Sequence, residues 1–463
     1  MTFLEDLKEI SRNHVLTKKE DLIPFISDAS YFKGRIPEAA FLPESASEVS
    51  KVMKLCNRYK MPVTVRGGGS SLTGSSVPQN GGLVISMARM NRILETRVSD
   101  GYVVVEPGVS IDDLNSHLAR SGFFYPPDPA SSMAATVGGT ISTNAGGLRA
   151  AMYGSTKEWV LGLEVVLPTG EIIETGGRTL KRTKGYDLTA LMVGSEGTLG
   201  VITRAILKIW PLPETTGRVL AYYKSIRAAG DAISELKSKG ATLYIAEFMD
   251  RLALDSIRRT KGLEYPRDAE CLLIVDVAST KESVDRQLES IGQMLKSFDP
   301  VKLVITRNID EMKQIYEARK GLYSASLSLR DKPEDYVIIA DIIVPPSRLP
   351  ETFAEAERAV EESGLKVSIF GHIGDGNIHA NILVDTRNEE QLRKANDFQM
   401  ELGKIALAHG GSVSAEHGIG LEKKQLILEE LRERDSEITI DIMRKIKAAF
   451  DPNRILNGGK VFD

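Results

Sequence analysis

Three stretches of this chain are built from glycine, serine and threonine where helix or strand formers would be expected. They are RGGGSSLTG from Arg66 to Gly74, GGTISTNAGG from Gly138 to Gly147, and GSEGTLG from Gly194 to Gly200. The first follows the short strand VTV and the third runs into the strand VITRAILKI. Glycine lets a backbone approach a ligand closely. Adjacent amides in a glycine turn can form an anion-binding nest, and Ser70, Ser71 and Thr73 add hydroxyl donors. No lysine follows the first loop as GKS or GKT, so it is not a P-loop, and no GxGxxG opens a βαβ unit. Three such loops point to one extended polar ligand of the dinucleotide kind. The alternative is three unrelated turns.

The chain has 463 residues, enough for two or three domains with a sizeable core. A formal charge of −4 without a long single-sign block argues against bulk nucleic-acid binding. Cys56 and Cys271 both lie among apolar residues and read as buried thiols, which leaves no cluster for an iron–sulfur centre. The first residues, MTFLEDLKEISRNHV, are acidic and amphipathic and lack the layout of a signal peptide. No apolar run reaches membrane-spanning length. The expectation is a soluble cytoplasmic protein, with peripheral membrane contact left open.

The apolar spacing of Ser45 to Tyr59 predicts a helix that Pro62 ends. Strands are expected at Gly81–Met87, Tyr102–Glu106, Leu161–Leu167 and Glu171–Glu174, with a helix at Ile111–Arg120 capped by Ser110. The stretch from Ser121 to Tyr153 has little periodicity and reads as a long irregular, functional segment. Beyond Pro211 and Pro213 the rhythm changes. RVLAYY, LYIAEF, CLLIVDV, VKLVIT and VIIADIIV read as strands, with helices near 226–239, 281–296, 309–329, 350–363 and 388–409. That pattern predicts an antiparallel sheet with helices on one face. The rhythm at 218–306 and 336–409 suggests two copies of one motif without exact sequence repetition.

Two further stretches concentrate histidine in a chain that has six. GHIGDGNIH runs from Gly371 to His379, and its glycines permit a bend that brings His372 and His379 together. After the bend, Ile378, Ala380, Ile382 and Val384 alternate as one apolar face, which leaves His379 and Asn381 on the other. AEHGIG, from Ala415 to Gly420, adds Glu416 and His417. Two imidazoles and a carboxylate are a donor set for a divalent metal, and His417 would stay free as a base. Two satisfied histidines in a turn and an ordinary surface pair are the alternative. Arg319 lies on a predicted helix and suits a carboxylate clamp if buried; most helical arginines are solvated. The basic residues Arg178, Lys181, Arg182 and Lys184 read as a solvated loop.

Taken in order, PVTVRGGGSSLTG, YPPDP, GGTISTNAGG, Tyr153–Gly154, GSEGTLGVIT, GHIGDGNIH, AEHGIG and the terminal ILNGGK resemble the FAD-linked oxidase family of the vanillyl-alcohol oxidase type. The nearer resemblance is to D-lactate dehydrogenases and the glycolate oxidase flavin subunit, with D-2-hydroxyglutarate dehydrogenase as a relative. It runs from about Pro37 to the end. It implies an α+β fold: a two-lobed FAD-binding domain at 1–215, a cap domain with an antiparallel sheet at 216–415, and a C-terminal helical segment at 416–463 that returns to the FAD domain.

The resemblance further implies that Arg66, Gly67, Gly68, Gly69, Ser70, Ser71 and Leu72 cradle the FAD pyrophosphate. Pro127, Asp128, the segment from Gly138 and Gly139 through Thr143 to Gly146, Tyr153 and Gly154 would extend the cofactor site. Glu196, Gly197, Val201 and Ile202 would complete it, and Asn457 would reach the flavin side. His372, His379 and Glu416 would bind zinc, or manganese or iron, which suit the same donors. Arg319 would grip the substrate carboxylate, Asn381 would help hold the substrate, and His417 would accept the hydroxyl proton while hydride passes from C2 to flavin N5. The metal would polarise the hydroxyl oxygen.

The implied partners are a small 2-hydroxy acid and a separate electron acceptor: a quinone, a cytochrome, an electron-transfer flavoprotein or an iron–sulfur subunit. A homodimer is left open. RGGGSSLTG holds no histidine for covalent attachment, so FAD is expected to be non-covalent. The usual terminal NPGK is here NGGK, Asn457 to Lys460. The hydroxyglutarate relative has a lysine shortly before the cap-strand aspartate, where this chain has Ile338, Ile339 and Ala340 before Asp341. That favours D-lactate or glycolate over a dicarboxylate. Alkyl-dihydroxyacetonephosphate synthase and a non-catalytic flavoprotein subunit are the other readings. The first is expected to carry a histidine cluster in the cap that is missing here, and the second would not need His372, His379, Glu416 and His417.

Overall fold

The structure, a computed structural model, describes residues 2–462. They divide into two compact units. The first comprises the described residues up to Ala145, Ser155–Leu212, and those from Glu416 on; the second comprises Gly146–Gly154 and Pro213–Ala415.

The first unit holds two main sheets. One has the order Val15–Leu16, Ala39–Phe41, Leu83–Ser86, Val63–Arg66, with the last three parallel. The other is antiparallel in the order Ile93–Arg97, Tyr102–Val105, Val201–Lys208, Val160–Val166, Ile172–Gly176. Helix Ala46–Tyr59 starts where predicted, with the Ser45 hydroxyl accepting from the Glu48 amide. It buries Val49, Val52, Met53, Leu55 and Cys56 in a core shared with Phe41, Val63, Leu83 and Ile85. Ser110 caps helix Ile111–Ala119 by accepting from Asp113 N at 3.0 Å. The C-terminal helix Ile438–Phe450 is fixed by the buried Lys447, whose ammonium donates to Thr198 O and Leu456 O, both at 2.7 Å, and pairs with Asp451. Full hydrogen bonding is what lets a charged group stay buried.

The stretch expected to be irregular holds more structure than read: Phe123–Phe124 is a short strand and Ala150–Tyr153 a short helix. Val137–Thr143 is a helix, begun by the Thr136 hydroxyl accepting from Gly139 N, although Gly138 and Gly139 lie in its first turn. Glycine weakens helix periodicity, so the cap and the surrounding packing decide the conformation there.

The second unit is built on a seven-stranded sheet. Its order is Lys302–Thr306, Thr215–Tyr223, Cys271–Ser279, Ile245–Asp250, Lys366–Gly371, Asn377–Val384, Tyr336–Ile343, and every pair is antiparallel. Strand Lys366–Gly371 and helix Arg251–Lys261 join the elements read from sequence, and the helix expected at 309–329 breaks at Gly321. In each half the first strand in the chain, Thr215–Tyr223 or Tyr336–Ile343, leads through a helix to an inner strand, and the next strand then inserts between the two; Lys302–Thr306 adds an edge to the first half. The inner strands, Ile245–Asp250 and Lys366–Gly371, join the halves.

The two faces of this sheet differ. One is apolar apart from Asp250 at a strand end, with Phe248, Ala246, Ile369, Val367, Ala380 and Ile382 buried; Phe248 packs on Phe353 of helix Leu349–Ser363. The other face is also covered, contrary to the expectation of helices on one side only. Ala253, Leu254 and Ile257 of helix Arg251–Lys261, together with Ala318 and Leu322, pack on Leu220, Ile274, Met249 and Phe370. Among these apolar residues the second face carries Arg218, Asp276, Glu247, Asp341, His379, Ser368 and Asn381, all buried.

Candidate active site

In the first unit the three glycine loops converge. A Cβ added to Gly67 would run into the Thr136 hydroxyl and one on Gly68 into the Ala134 carbonyl, while Gly69 has φ +70°. The first loop therefore lies close against Ala134–Thr136, the segment that leads into the second loop, which explains the glycine run. The second loop meets the third through Glu196 N to Ser142 O at 2.7 Å and Gly194 N to Ile141 O at 2.9 Å. Asn457 joins them, donating from Nδ2 to Glu196 O at 2.6 Å and Ser75 O at 3.1 Å. Glu196 and Asn457 both hold a left-handed backbone, at φ +50° and +49°, a strained conformation for a non-glycine residue.

The Glu196 carboxylate is buried and accepts from Ser75 Oγ at 2.6 Å, Ile419 N at 2.7 Å and Gly420 N at 2.9 Å. It thereby ties AEHGIG to the glycine loops. Burial pushes this carboxyl above its ordinary range, against the pull of those donors and of Lys460. Lys460 is itself buried and donates to Asn457 Oδ1; burial lowers it to about 7, against the pull of Asp28 and Glu196. The Thr73 hydroxyl donates to His417 O at 3.3 Å, and the His417 ring lies 3.7 Å from Glu416 Oε1.

Arg66 is turned to Ser27 O at 2.7 Å. Pro127 and Asp128 are buried beside Tyr125. Val201 and Ile202 are buried on the central strand of the five-stranded sheet, opposite Val166 and Val165. The Thr143 hydroxyl donates to Gly139 O. The loops supply close backbone and hydroxyls, and their one acid, Glu196, is already engaged by protein donors. That donor set fits a dinucleotide.

In the second unit the polar face forms a linked series of side chains. His372 and His379 converge across the glycine turn, their rings edge to face at 5.1 Å and 87°. The turn needs its glycines: a Cβ on Gly376 would strike Val344 O, and one on Gly374 would crowd Ala151 and Ala246. Glu247 bridges two groups. One carboxylate oxygen lies 2.7 Å from His372 Nδ1 and the other 2.7 Å from Arg319 Nη2. Arg319 is 2% exposed, its guanidinium 4.8 Å above the Phe370 ring, and its Nε has no hydrogen-bond partner. Phe370 also packs on His379, at 5.1 Å.

Asp341 stands opposite His379 in the register, 3.4 Å from its Nδ1, and accepts from Asn377 Nδ2 at 2.9 Å and from Ala415 N at 3.1 Å. Glu416 is thus one peptide bond from a residue anchored to this pair. Asn381 donates to Ser326 Oγ at 2.8 Å and leaves its Oδ1 without a partner. Each imidazole thus turns Nδ1 toward a buried carboxylate, an arrangement that orients histidine ligands of metals. The pair fits a divalent ion.

Sequence reasoning found His372, His379, Asn381 and Arg319, which the fold brings to one sheet face. It missed Glu247 altogether and read Asp341 only as the acid that follows Ile338–Ala340. The available signal was an acid at an alternating position within an otherwise apolar strand, as in LYIAEF and IIADII. Gly146, Tyr153 and Gly154 cluster with the second unit, where Tyr153 packs edge-on against Tyr244 at 6.1 Å.

Residues 37–176 match the FAD binding domain family, and residues 212–461 match FAD linked oxidases, C-terminal domain. The glycolate oxidase subunit GlcD of Bacillus subtilis (strain 168) is 37% identical over 427 residues, covering 92% of this chain and 89% of that one. A D-lactate dehydrogenase of Anaerostipes hadrus is 33% identical over 470 residues, covering 99% and 96%. The structure of p-cresol methylhydroxylase with substrate bound superposes with a TM-score of 0.82 at 19% identity over 100% of this chain and 96% of that one, a likeness of fold. Among the described residues no helix is long and apolar enough to cross a membrane. The chain belongs to the FAD-linked oxidases, oxidoreductases with a vanillyl-alcohol-oxidase-type fold.

Proposed function

We propose that the protein is an FAD-dependent dehydrogenase that oxidises small D-2-hydroxy acids, D-lactate foremost, to the 2-oxo acid. One observation carries the reading. Of the two arginines buried at the polar face, Arg218 is fully engaged by Asp276 and Met312 O, whereas Arg319 stands beside the histidine pair with its Nε unbonded. One available guanidinium recognises one carboxylate. Ile339, the cross-strand partner of Asn381, offers no second cation. The names of the relatives, a glycolate oxidase subunit and a D-lactate dehydrogenase, point to the same substrate class.

In this reading Arg319 binds the substrate carboxylate and Asn381 Oδ1 accepts from the substrate. His372, His379 and Glu416 hold a divalent ion, zinc or else manganese or iron, which when bound supplies Lewis-acid polarisation of the hydroxyl oxygen. His417 takes the hydroxyl proton; a neutral imidazole suits that task near neutral pH. FAD, held without a covalent bond, supplies the hydride acceptor that no side chain can. Arg66 to Leu72, Pro127, Asp128, Gly138 to Gly147, Tyr153, Gly154, Glu196 to Thr203 and Asn457 form its site. A separate electron acceptor would complete turnover.

The test is steady-state turnover of D-lactate, L-lactate and glycolate with an artificial acceptor dye, for wild type and His417→Asn. D-lactate is expected to exceed L-lactate. The variant should stay yellow and lose roughly 10²–10⁴-fold in turnover, the usual worth of a positioned base. Equal turnover of the two lactates, or normal turnover in the variant, would sink the reading.

A further inference from the structure

We propose that Glu247 is a positioning residue that sets the metal ligand His372 and the substrate clamp Arg319 at once. This rests on the metal and clamp roles given above. Glu247 is 1% exposed, lies mid-strand in Ile245–Asp250, and points from an otherwise apolar run onto the polar face. Its two oxygens have separate tasks, one 2.7 Å from His372 Nδ1 and one 2.7 Å from Arg319 Nη2.

A carboxylate only accepts, so His372 carries its hydrogen on Nδ1 and presents the Nε2 lone pair. Across the sheet Asp341 stands in the same relation to His379 Nδ1, at 3.4 Å. The other Glu247 oxygen holds the guanidinium above Phe370, 4.8 Å from the ring, with Nε left for a ligand. Phe370 touches Arg319 on one side and His379 on the other. One acid therefore couples the placement of the metal ligand to that of the carboxylate clamp.

Glutamine cannot replace it. With its oxygen toward His372, its amide N–H₂ faces the donors of Arg319. With its oxygen toward Arg319, its N–H₂ donates to His372 Nδ1 and forces the hydrogen onto Nε2, which removes the lone pair a metal needs. The competing explanation is that Glu247 merely neutralises a buried arginine. The two explanations part in a double variant, because Glu247→Leu with Arg319→Met removes the stranded charge and also takes away the carboxylate that accepts from His372 Nδ1.

The experiment measures zinc affinity of the FAD-loaded protein against a zinc-buffer series, with D-lactate titrated anaerobically in parallel. It covers wild type, Glu247→Gln, Arg319→Met, the double variant and His379→Ala. Glu247→Gln is expected to bind zinc roughly 10–100-fold more weakly, the usual effect of losing an outer-sphere partner, and D-lactate more weakly too. Arg319→Met should weaken only D-lactate. The double variant should recover thermal stability yet keep the zinc defect. Wild-type zinc affinity in Glu247→Gln, or recovery of that affinity in the double variant, overturns the proposal. Stoichiometric zinc in His379→Ala overturns the metal reading beneath it and is recognisable separately, since it concerns a ligand and not its support.

Discussion

The two halves of the seven-stranded sheet share one plan and put it to different uses. In each, the first strand in the chain and the strand inserted beside it carry a cross-strand polar pair on the same face: Arg218 opposite Asp276 in the first half, Asp341 opposite His379 in the second. The first pair is closed. Arg218 makes two parallel bonds to Asp276, at 2.6 and 2.7 Å, and gives its remaining amino group to Met312 O at 2.7 Å. The second pair is looser. Its members lie 3.4 Å apart, Asp341 collects donors from Asn377 and Ala415, and the His379 ring leans on His372 and Phe370. A buried ion pair that satisfies itself offers nothing to a ligand. A carboxylate behind an imidazole orients the ring in the way that supports metal ligands. On the proposed reading, the same position in a repeated motif serves as a brace in one half and as chemistry in the other.

Substitutions can break this contrast. The largest expected effect is on stability. Asp276→Ala strands the Arg218 charge in the sheet and is expected to cost about 3–5 kcal/mol in denaturant unfolding. Turnover of the folded fraction should stay near wild type. Replacing both partners with apolar residues of similar volume should recover most of the loss, because the pair's own desolvation is costly. Loss of metal on Asp276→Ala would show that the first half is not merely a brace.

Asp341→Ala should do the reverse. A loss of roughly 10–100-fold in metal affinity is expected, with a smaller loss of stability than Asp276→Ala, read by elemental analysis and denaturant melts on the same sample. Equal destabilisation with undiminished metal would place both pairs in the same structural role.

The smallest effect concerns Asp250, which belongs to the apolar face of the same sheet. It caps helix Arg251–Lys261 by accepting from Ala253 N at 2.7 Å and also accepts from Ile369 N at 2.6 Å. Burial pushes its carboxyl up to about 7 against those two bonds. The folded state therefore holds a proton that the unfolded state releases near 3.8. This contribution to stability is fully present below about pH 4 and is lost as pH rises through about 7. The denaturant midpoint of wild type relative to Asp250→Asn should decline across that window; a difference independent of pH would show the group to be charged throughout.

Much of this was legible in the sequence. Alternation in IHANILVD put His379 and Asn381 on one face, apolar spacing announced the helix that follows Ser45, and Ser110 announced its own. The glycine loops announced close approach, although their nearest neighbours turned out to be one another. Glu247 was not legible as a partner of His372, since 125 residues separate them and only the junction between the two halves brings them together. Helix Val137–Thr143 was hidden by its glycines, and helix Arg251–Lys261 went unread despite an Asp250 cap and Gly262 at its left-handed end.

On the proposed reading, a flavin accepts hydride from a D-2-hydroxy acid held by one guanidinium. An anaerobic visible spectrum of the purified, FAD-loaded protein before and after D-lactate tests it most directly. The expected result is oxidised flavin bands that bleach with D-lactate and persist with L-lactate. Bands that persist with both, in protein shown to contain FAD and metal, would contradict the assignment of substrate and clamp.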